Sequence, residues 1–169
     1  NGTPPSRIVL GGDSAGGGLA LALLAELIRA QQPLPGGCFV FSPLTDLTFS
    51  GASMQDNAQA DVILPASRVR DMADMFLGDH DLNDPRASPL FADFKTAPPV
   101  WITVGDTEIL LDDSRRMAER LKTAGVDVTF VETQDLPHVW PIFQTWFPPA
   151  RASLQDLALW IRRQVPPRA

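Results

Sequence analysis

Between the apolar run Ile8-Val9-Leu10 and an Ala/Leu-rich stretch at residues 19–30 stands Gly12-Asp13-Ser14-Ala15-Gly16, and this segment restricts the fold more than any other. The pattern G-x-S-x-G belongs between a strand and a helix, in a turn so sharp that the serine hydroxyl stands above the end of the sheet. A glycine two residues to either side lets neighbouring backbone pass close by. The Ala15 amide, at a helix N-terminus, points to where an oxyanion would form. The same residues also admit a plainer reading, with Ser14 as a helix cap and the glycines serving tight strand-to-helix packing. A phosphate-cradling loop is disfavoured: there is no Gly-Lys-Ser/Thr, and Asp13 would set negative charge beside the phosphate.

The rest of the chain repeats the strand-then-helix rhythm. Residues 7–10 read as a buried strand and residues 19–30, apolar all round, as a buried helix. A loop rich in Pro and Gly leads to a second strand, Cys38-Phe39-Val40-Phe41. Residues 46–98 break the rhythm and read as a cap-like insertion, with one amphipathic helix that carries Val69, Met72, Ala73 and Phe76 and stops at Gly78. A third strand, Val100-Trp101-Ile102-Thr103-Val104, precedes a helix with Met117, Ala118, Leu121 and Ala124 on one face, ended by Gly125. Residues 126–132 form a fourth strand. Residues 150–165 form a last helix, with Leu154, Leu157, Ala158, Ile161 and Val165 in one stripe, stopped by Pro166-Pro167. Strands alternating with helices predict an α/β fold: four mainly parallel strands, helices on both faces, and right-handed crossovers.

Composition excludes several functions. The 14 Lys and Arg against 20 Asp and Glu give a net charge of −6, and no basic cluster offers a face for nucleic acid. Apolar runs are interrupted before the roughly 18 to 20 residues that a membrane helix needs. The single cysteine, Cys38, allows no internal disulfide and no multi-cysteine zinc site, and reads as a small apolar strand residue. No metal or organic cofactor is implied.

A serine hydroxyl needs a base to become a nucleophile, and the chain has only two histidines. His138, in Pro137-His138-Val139-Trp140, follows the fourth strand and falls on the same edge of the sheet as Ser14. His80 lies in a polar loop and reads as a solvated surface residue. The loop after the third strand supplies the acids: Asp106, Glu108, Asp112 and Asp113. An acid there would hold the imidazole in the tautomer that accepts the serine proton. Asp112 and Asp113 suit the role of N-terminal caps for the following helix, which carries Arg115 and Arg116. The chain order Ser, acid, His is that of the α/β hydrolases.

Four segments together carry a specific resemblance that covers essentially the whole chain. Gly12-Asp13-Ser14-Ala15-Gly16-Gly17-Gly18, Ser42-Pro43-Leu44-Thr45-Asp46-Leu47, Ser88-Pro89-Leu90 and Pro137-His138-Val139-Trp140 resemble the C-terminal half of esterases of the hormone-sensitive lipase family. The resemblance implies Ser14 as nucleophile and His138 as base. The commonest acid motif of that family is Asp-Pro-Leu-x-Asp; here the matching stretch is Glu108-Ile109-Leu110-Leu111-Asp112, which implies Glu108 as the acid, with Asp106 as the second candidate. It further implies a serine carboxylesterase or lipase-like hydrolase that cleaves short-chain esters through an acyl-enzyme. The alternatives are a non-catalytic small-molecule-binding protein on the same fold and an inactive truncated remnant. An aromatic surround of Phe76, Trp140, Phe143 and Trp146 would suit an uncharged acyl or alcohol group, ordinary core packing being the plainer account of each.

The resemblance also implies an upstream His-Gly-Gly-Gly segment, which supplies most of the oxyanion hole in that family and has no counterpart here, leaving the Ala15 amide. With an Asn1-Gly2 start, the chain reads as part of a longer protein, and Ile8-Val9-Leu10 would be an open apolar edge unless paired. The expected partners are a small ester and either the upstream half or a second copy, in a homodimer through the strand at 126–132 or the last helix. A cytoplasmic location is expected.

Overall fold

The computed structural model describes residues 2–166. Pro167, one of the two prolines expected to stop the last helix, lies outside the described residues, as does Asn1.

The four strands form one sheet in sequence order, β1 (Val9–Asp13), β2 (Gly37–Phe41), β3 (Val100–Gly105) and β4 (Val128–Thr133). All three pairings are parallel, with Leu10 opposite Cys38, Cys38 opposite Val100 and Val100 opposite Val128. Period-two alternation sorts their side chains. Cys38, Val40, Val100 and Ile102 pack with Leu21 and Leu24 of α1 (Ser14–Arg29) and with Met117 and Leu121 of α4 (Leu111–Thr123). Phe41 and Trp101 pack on the other face with Leu157 and Trp160 of α5 (Pro148–Gln164). The α/β-hydrolase fold expected from the sequence is the one observed. Cys38 is fully buried, and burial pushes its thiol up to about 12.

Several boundaries differ from expectation, most at the two ends of the first strand-helix unit and at the fourth strand. Strand β1 starts at Val9, one residue after Ile8, and runs on through Gly11-Gly12-Asp13, so helix α1 begins at Ser14 with no intervening loop. Of the two glycines flanking Ser14, only Gly12 serves close approach: a Cβ there would lie 2.2 Å from the Gly16 carbonyl oxygen, while one at Gly16 would meet nothing within 4 Å; Gly18 is tight as well, its Cβ falling 2.1 Å from the Leu44 carbonyl oxygen. Helix α1 is not buried all round, since Leu19 and Leu23 face outward, 56% and 48% exposed. The fourth strand begins at Val128 because Gly125, at φ 84, closes α4, with the Val126 amide donating to the Leu121 carbonyl.

Residues 46–98 hold α2 (Ser53–Asp56) and α3 (Val69–Leu77), with Gly78 at φ 55 after the latter. Part of the segment is core: Leu90, Ala92 and Phe94 pack beneath α1 and α4. Helix α3 stands apart, with Ala73 its one buried residue. Among the described residues, no helix is long and apolar enough to cross a membrane.

Candidate active site

Parallel strands bring their carboxyl ends to one edge, where the junction of β1 with α1 carries Ser14 and the loops that leave β3 and β4 carry Glu108 and His138. Ser14 directly follows β1 and sits at φ 53, a left-handed conformation that costs an L-residue energy and is held only where the surroundings demand it. Its hydroxyl does not cap α1: Asp13 is the N-cap residue, and Ser14 Oγ lies 2.9 Å from His138 Nε2. His138 Nδ1 lies 2.7 Å from Glu108 Oε2. Glu108 is fully buried and His138 is 3% exposed.

The second oxygen of Glu108 is also occupied. Oε1 accepts the Ser42 hydroxyl at 2.8 Å and the Gly105 amide at 2.5 Å. Asn57, just after α2, donates from its side-chain nitrogen to the carbonyls of Asp106 and Glu108, each at 2.8 Å. Asp61 accepts the Ile109 amide at 3.0 Å. Gly105 permits the histidine loop to cross close by, since a Cβ there would lie 2.0 Å from the Leu136 carbonyl oxygen.

The remaining acids are engaged elsewhere. Asp106 accepts the Asp135 amide at 2.8 Å and so ties down the start of the histidine loop without bonding to the imidazole. Asp112 and Asp113 stand in the first turn of α4, where the helix dipole favours negative charge, but neither caps it: the N-cap residue is Leu110, with no side-chain cap bond. Their carboxylates turn instead to the loops at residues 45–53. Asp112 accepts the Ser53 amide at 2.9 Å. Asp113 accepts the amides of Thr45 and Asp46 at 2.7 and 2.9 Å. Burial pushes the Asp113 carboxyl up to about 7, against these amide donors and with the charge of Asp46 adding to the rise. At Asp46 burial also acts upward, but the hydrogen bonds from Ser50, Thr48 and Arg116 outweigh it and hold that carboxyl below its usual range.

Ser14 and Ala15 line an apolar cavity of about 250 Å³ together with Val69, Met72 and Phe76 of α3. Arg86 is its one charged lining residue and is paired with Asp84 at 2.6 Å. Of the four aromatic residues expected around the site, Phe76 alone lines this cavity. Trp140, 1% exposed, packs with Leu136 and Ala150, because a bulky apolar ring on that loop is drawn under α5. Phe143 stacks on Trp146 at 5.7 Å, away from Ser14's cavity. His80 is exposed, in the turn after α3. Among the described residues, no group of three or more His, Cys, Asp or Glu is arranged to hold a metal ion.

Ser42, Asn57 and Asp61 were given no individual role on sequence alone. For Ser42 a signal existed: it directly follows a strand, the position that drew attention to Ser14. Asn57 and Asp61 approach from a loop 47 or more residues before Glu108, beyond the reach of any local pattern.

Residues 1–142 match the family model described as the alpha/beta hydrolase fold. The chain belongs to that family. It is 37% identical over 161 residues to an acetyl-hydrolase of Streptomyces hygroscopicus, covering 95% of this chain and 54% of the relative. It is 37% identical over 158 residues to an esterase of Acinetobacter venetianus, covering 93% and 52%. A crystal structure of an esterase from the bacterial hormone-sensitive lipase family superposes with a TM-score of 0.93 at 40% identity, over 97% of this chain and 55% of that one. The chain thus spans about half the length of these relatives, and the resemblance read from its motifs is to the same family.

Proposed function

We propose that these residues carry the nucleophile, base and acid of a serine carboxylic ester hydrolase. The observation that carries this reading is the continuous hydrogen-bonded line from Ser14 Oγ through His138 to Glu108, at 2.9 and 2.7 Å, with Ser14 in the lining of an apolar cavity. The relatives' names, esterase and acetyl-hydrolase, support it.

In the first half-reaction Ser14 Oγ attacks the ester carbonyl while its proton passes to His138 Nε2, and Glu108 holds the imidazole oriented and offsets the imidazolium charge. The tetrahedral oxyanion receives the Ala15 amide, at the N-terminus of α1. As the C–O bond to the alcohol breaks, His138 returns the proton to the departing oxygen and an acyl-Ser14 ester remains. Water, deprotonated by His138, then attacks that ester, and collapse restores Ser14 and releases the acid.

One amide is an incomplete oxyanion hole, and loss of one donor costs about 10² to 10³ in rate. The remaining donors come, in this proposal, from the upstream half of one catalytic domain that pairs with the edge strand β1. The coverage of about half of each relative supports this. Residues 46–98 are cap-like in part, in the stretch around α3, which lines the cavity. The cavity's apolar lining favours an uncharged, short acyl or alcohol group. A homodimer through the open edge of β4 or through α5 completes the proposal, tested by native mass spectrometry. A buried lone cysteine fits a cytoplasmic, reducing setting.

The test is the intact mass of the full polypeptide after exposure to a fluorophosphonate, beside Ser14→Ala. A single adduct on the parent and none on the variant is expected. Equal labelling of both, or none on either, would overturn the assignment.

A further inference from the structure

Resting on that reading, we infer that Ser42 is a positioning residue, which locks the acid and the base of the site to each other. Its hydroxyl makes two bonds in opposite senses: it donates to Glu108 Oε1 at 2.8 Å and accepts the Val139 amide at 3.0 Å. The first bond fixes the rotation of the carboxylate that presents Oε2 to His138. The second fixes the backbone immediately after His138. One oxygen atom therefore sets both ends of the 2.7 Å contact between acid and imidazole.

The surroundings are built to hold it there. Ser42 is fully buried, its own amide donates to the Thr103 carbonyl at 2.7 Å, and its φ is 47. Val139 is left-handed as well, at φ 53, which is markedly unfavourable for a β-branched residue. Two strained residues facing each other across one hydrogen bond indicate a geometry that the fold enforces. The device also meets the demand of a glutamate, whose side chain carries one more rotatable bond than aspartate. The Gly105 amide and the Ser42 hydroxyl converge on one carboxylate oxygen and remove that freedom.

The test is a double-mutant cycle in the full polypeptide, with kcat and KM for a short-chain p-nitrophenyl ester. Ser42→Ala is expected to lower kcat about 10- to 100-fold, as misplacement of a catalytic group does, with KM within about twofold of the parent. In a Glu108→Ala background the same substitution is expected to cost less than about twofold, since the residue acts through that carboxylate. Ser42→Gly, which suits the left-handed backbone yet lacks the hydroxyl, is expected to lose as much kcat as Ser42→Ala. An unchanged kcat in a folded Ser42→Ala, or an equal loss with and without Glu108, overturns the inference. Loss of cooperative melting in both Ser42 variants overturns it too, by assigning the residue to stability alone. Activity that survives in Ser14→Ala overturns the underlying reading of the site; a dead Ser14→Ala with an indifferent Ser42 overturns only the role of Ser42.

Discussion

The site at Ser14 has two walls of opposite construction, the polar cluster that bonds its hydroxyl and the apolar cavity that it lines. On one side the loops after β2, β3 and β4 bury Ser42 and Glu108 completely and His138 to 3% exposure, and each polar atom of the cluster meets a designated partner. On the other side α3 presents Met72 and Phe76, 53% and 61% exposed, with Ala73 as its only buried residue. The first wall is directional and desolvated, so an atom removed there leaves its partner unpaired, at a cost of the order of 1 to 3 kcal/mol for each orphaned group. The second is apolar and non-directional, and exchanging one side chain for another alters volume more than energy. Geometry for chemistry and latitude for substrate shape are thus assigned to different elements, and the two walls should respond differently to substitution.

The largest effect is expected at the reacting atoms. Ser14→Ala and His138→Ala should each lower kcat for ester hydrolysis by about 10⁴ or more in steady-state kinetics; thermal unfolding should leave Ser14→Ala close to the parent and lower the melting temperature of His138→Ala, which orphans a buried oxygen of Glu108. Glu108→Gln should follow, with a loss of about 10³ to 10⁴, because an amide can present the wrong partner to His138 Nδ1. Glu108→Asp makes a finer break in the comparison. The shorter side chain cannot reach both His138 Nδ1 and the Gly105 amide, and a kcat reduced about 10- to 100-fold is expected. Parent-like turnover in Glu108→Asp would mean that the first wall is less exacting than its hydrogen bonds imply.

Next comes a stability effect at Asp113 of α4, buried behind the polar cluster where it holds the loop after β2. The Asp113 carboxyl, raised by burial to about 7 from 3.8, binds its proton more tightly in the folded chain than in the unfolded one. Its contribution to stability is therefore complete below about pH 4 and lost as pH rises through about 7. Asp113→Asn keeps an acceptor for the Thr45 and Asp46 amides without titrating. Urea unfolding at pH 5 and pH 8 should show the parent losing a few kcal/mol between the two and the variant losing clearly less. The smallest effect belongs to α3. Met72→Ala and Phe76→Ala should change stability by less than about 1 kcal/mol and leave kcat on acetyl esters within about twofold, while shifting KM for longer acyl chains several-fold. A collapse of kcat on acetyl esters in either variant would mean that both walls serve the chemistry.

What could be read in advance differed along the same line. Strands and helices were legible because burial on both faces makes β2 and β3 short continuous apolar runs and imposes a period of about 3.6 on α4, and the short runs between them carry Gly and Pro. Ser14 and His138 stood out through scarcity and position, as one flanked serine and one of two histidines at strand ends. The four acids after β3 lie within eight residues, and only the resemblance of Glu108-Ile109-Leu110-Leu111-Asp112 to a family motif sets Glu108 apart from the rest. Their division of labour follows from which distant group each one meets: His138 for Glu108, the Asp135 amide for Asp106, and the loops at residues 45–53 for Asp112 and Asp113. The aromatic residues show the same limit. Phe76 and Trp140 are both large and apolar, yet one lines the cavity and the other sits in the core beneath α5.

By itself, then, the sequence determined the parallel α/β architecture, the strained turn at Ser14 and the motifs of an α/β hydrolase, because periodicity, glycine placement and chain order are local properties. Tertiary structure alone decided which distant groups Asp106, Asp112 and Asp113 meet, that Ser42 bridges Glu108 to Val139, and which side chains enclose the cavity beside Ser14. The physical reason is that hydrogen bonds and dispersion act over a few ångströms in space, between groups that lie 66, 97 and 124 residues apart along the chain.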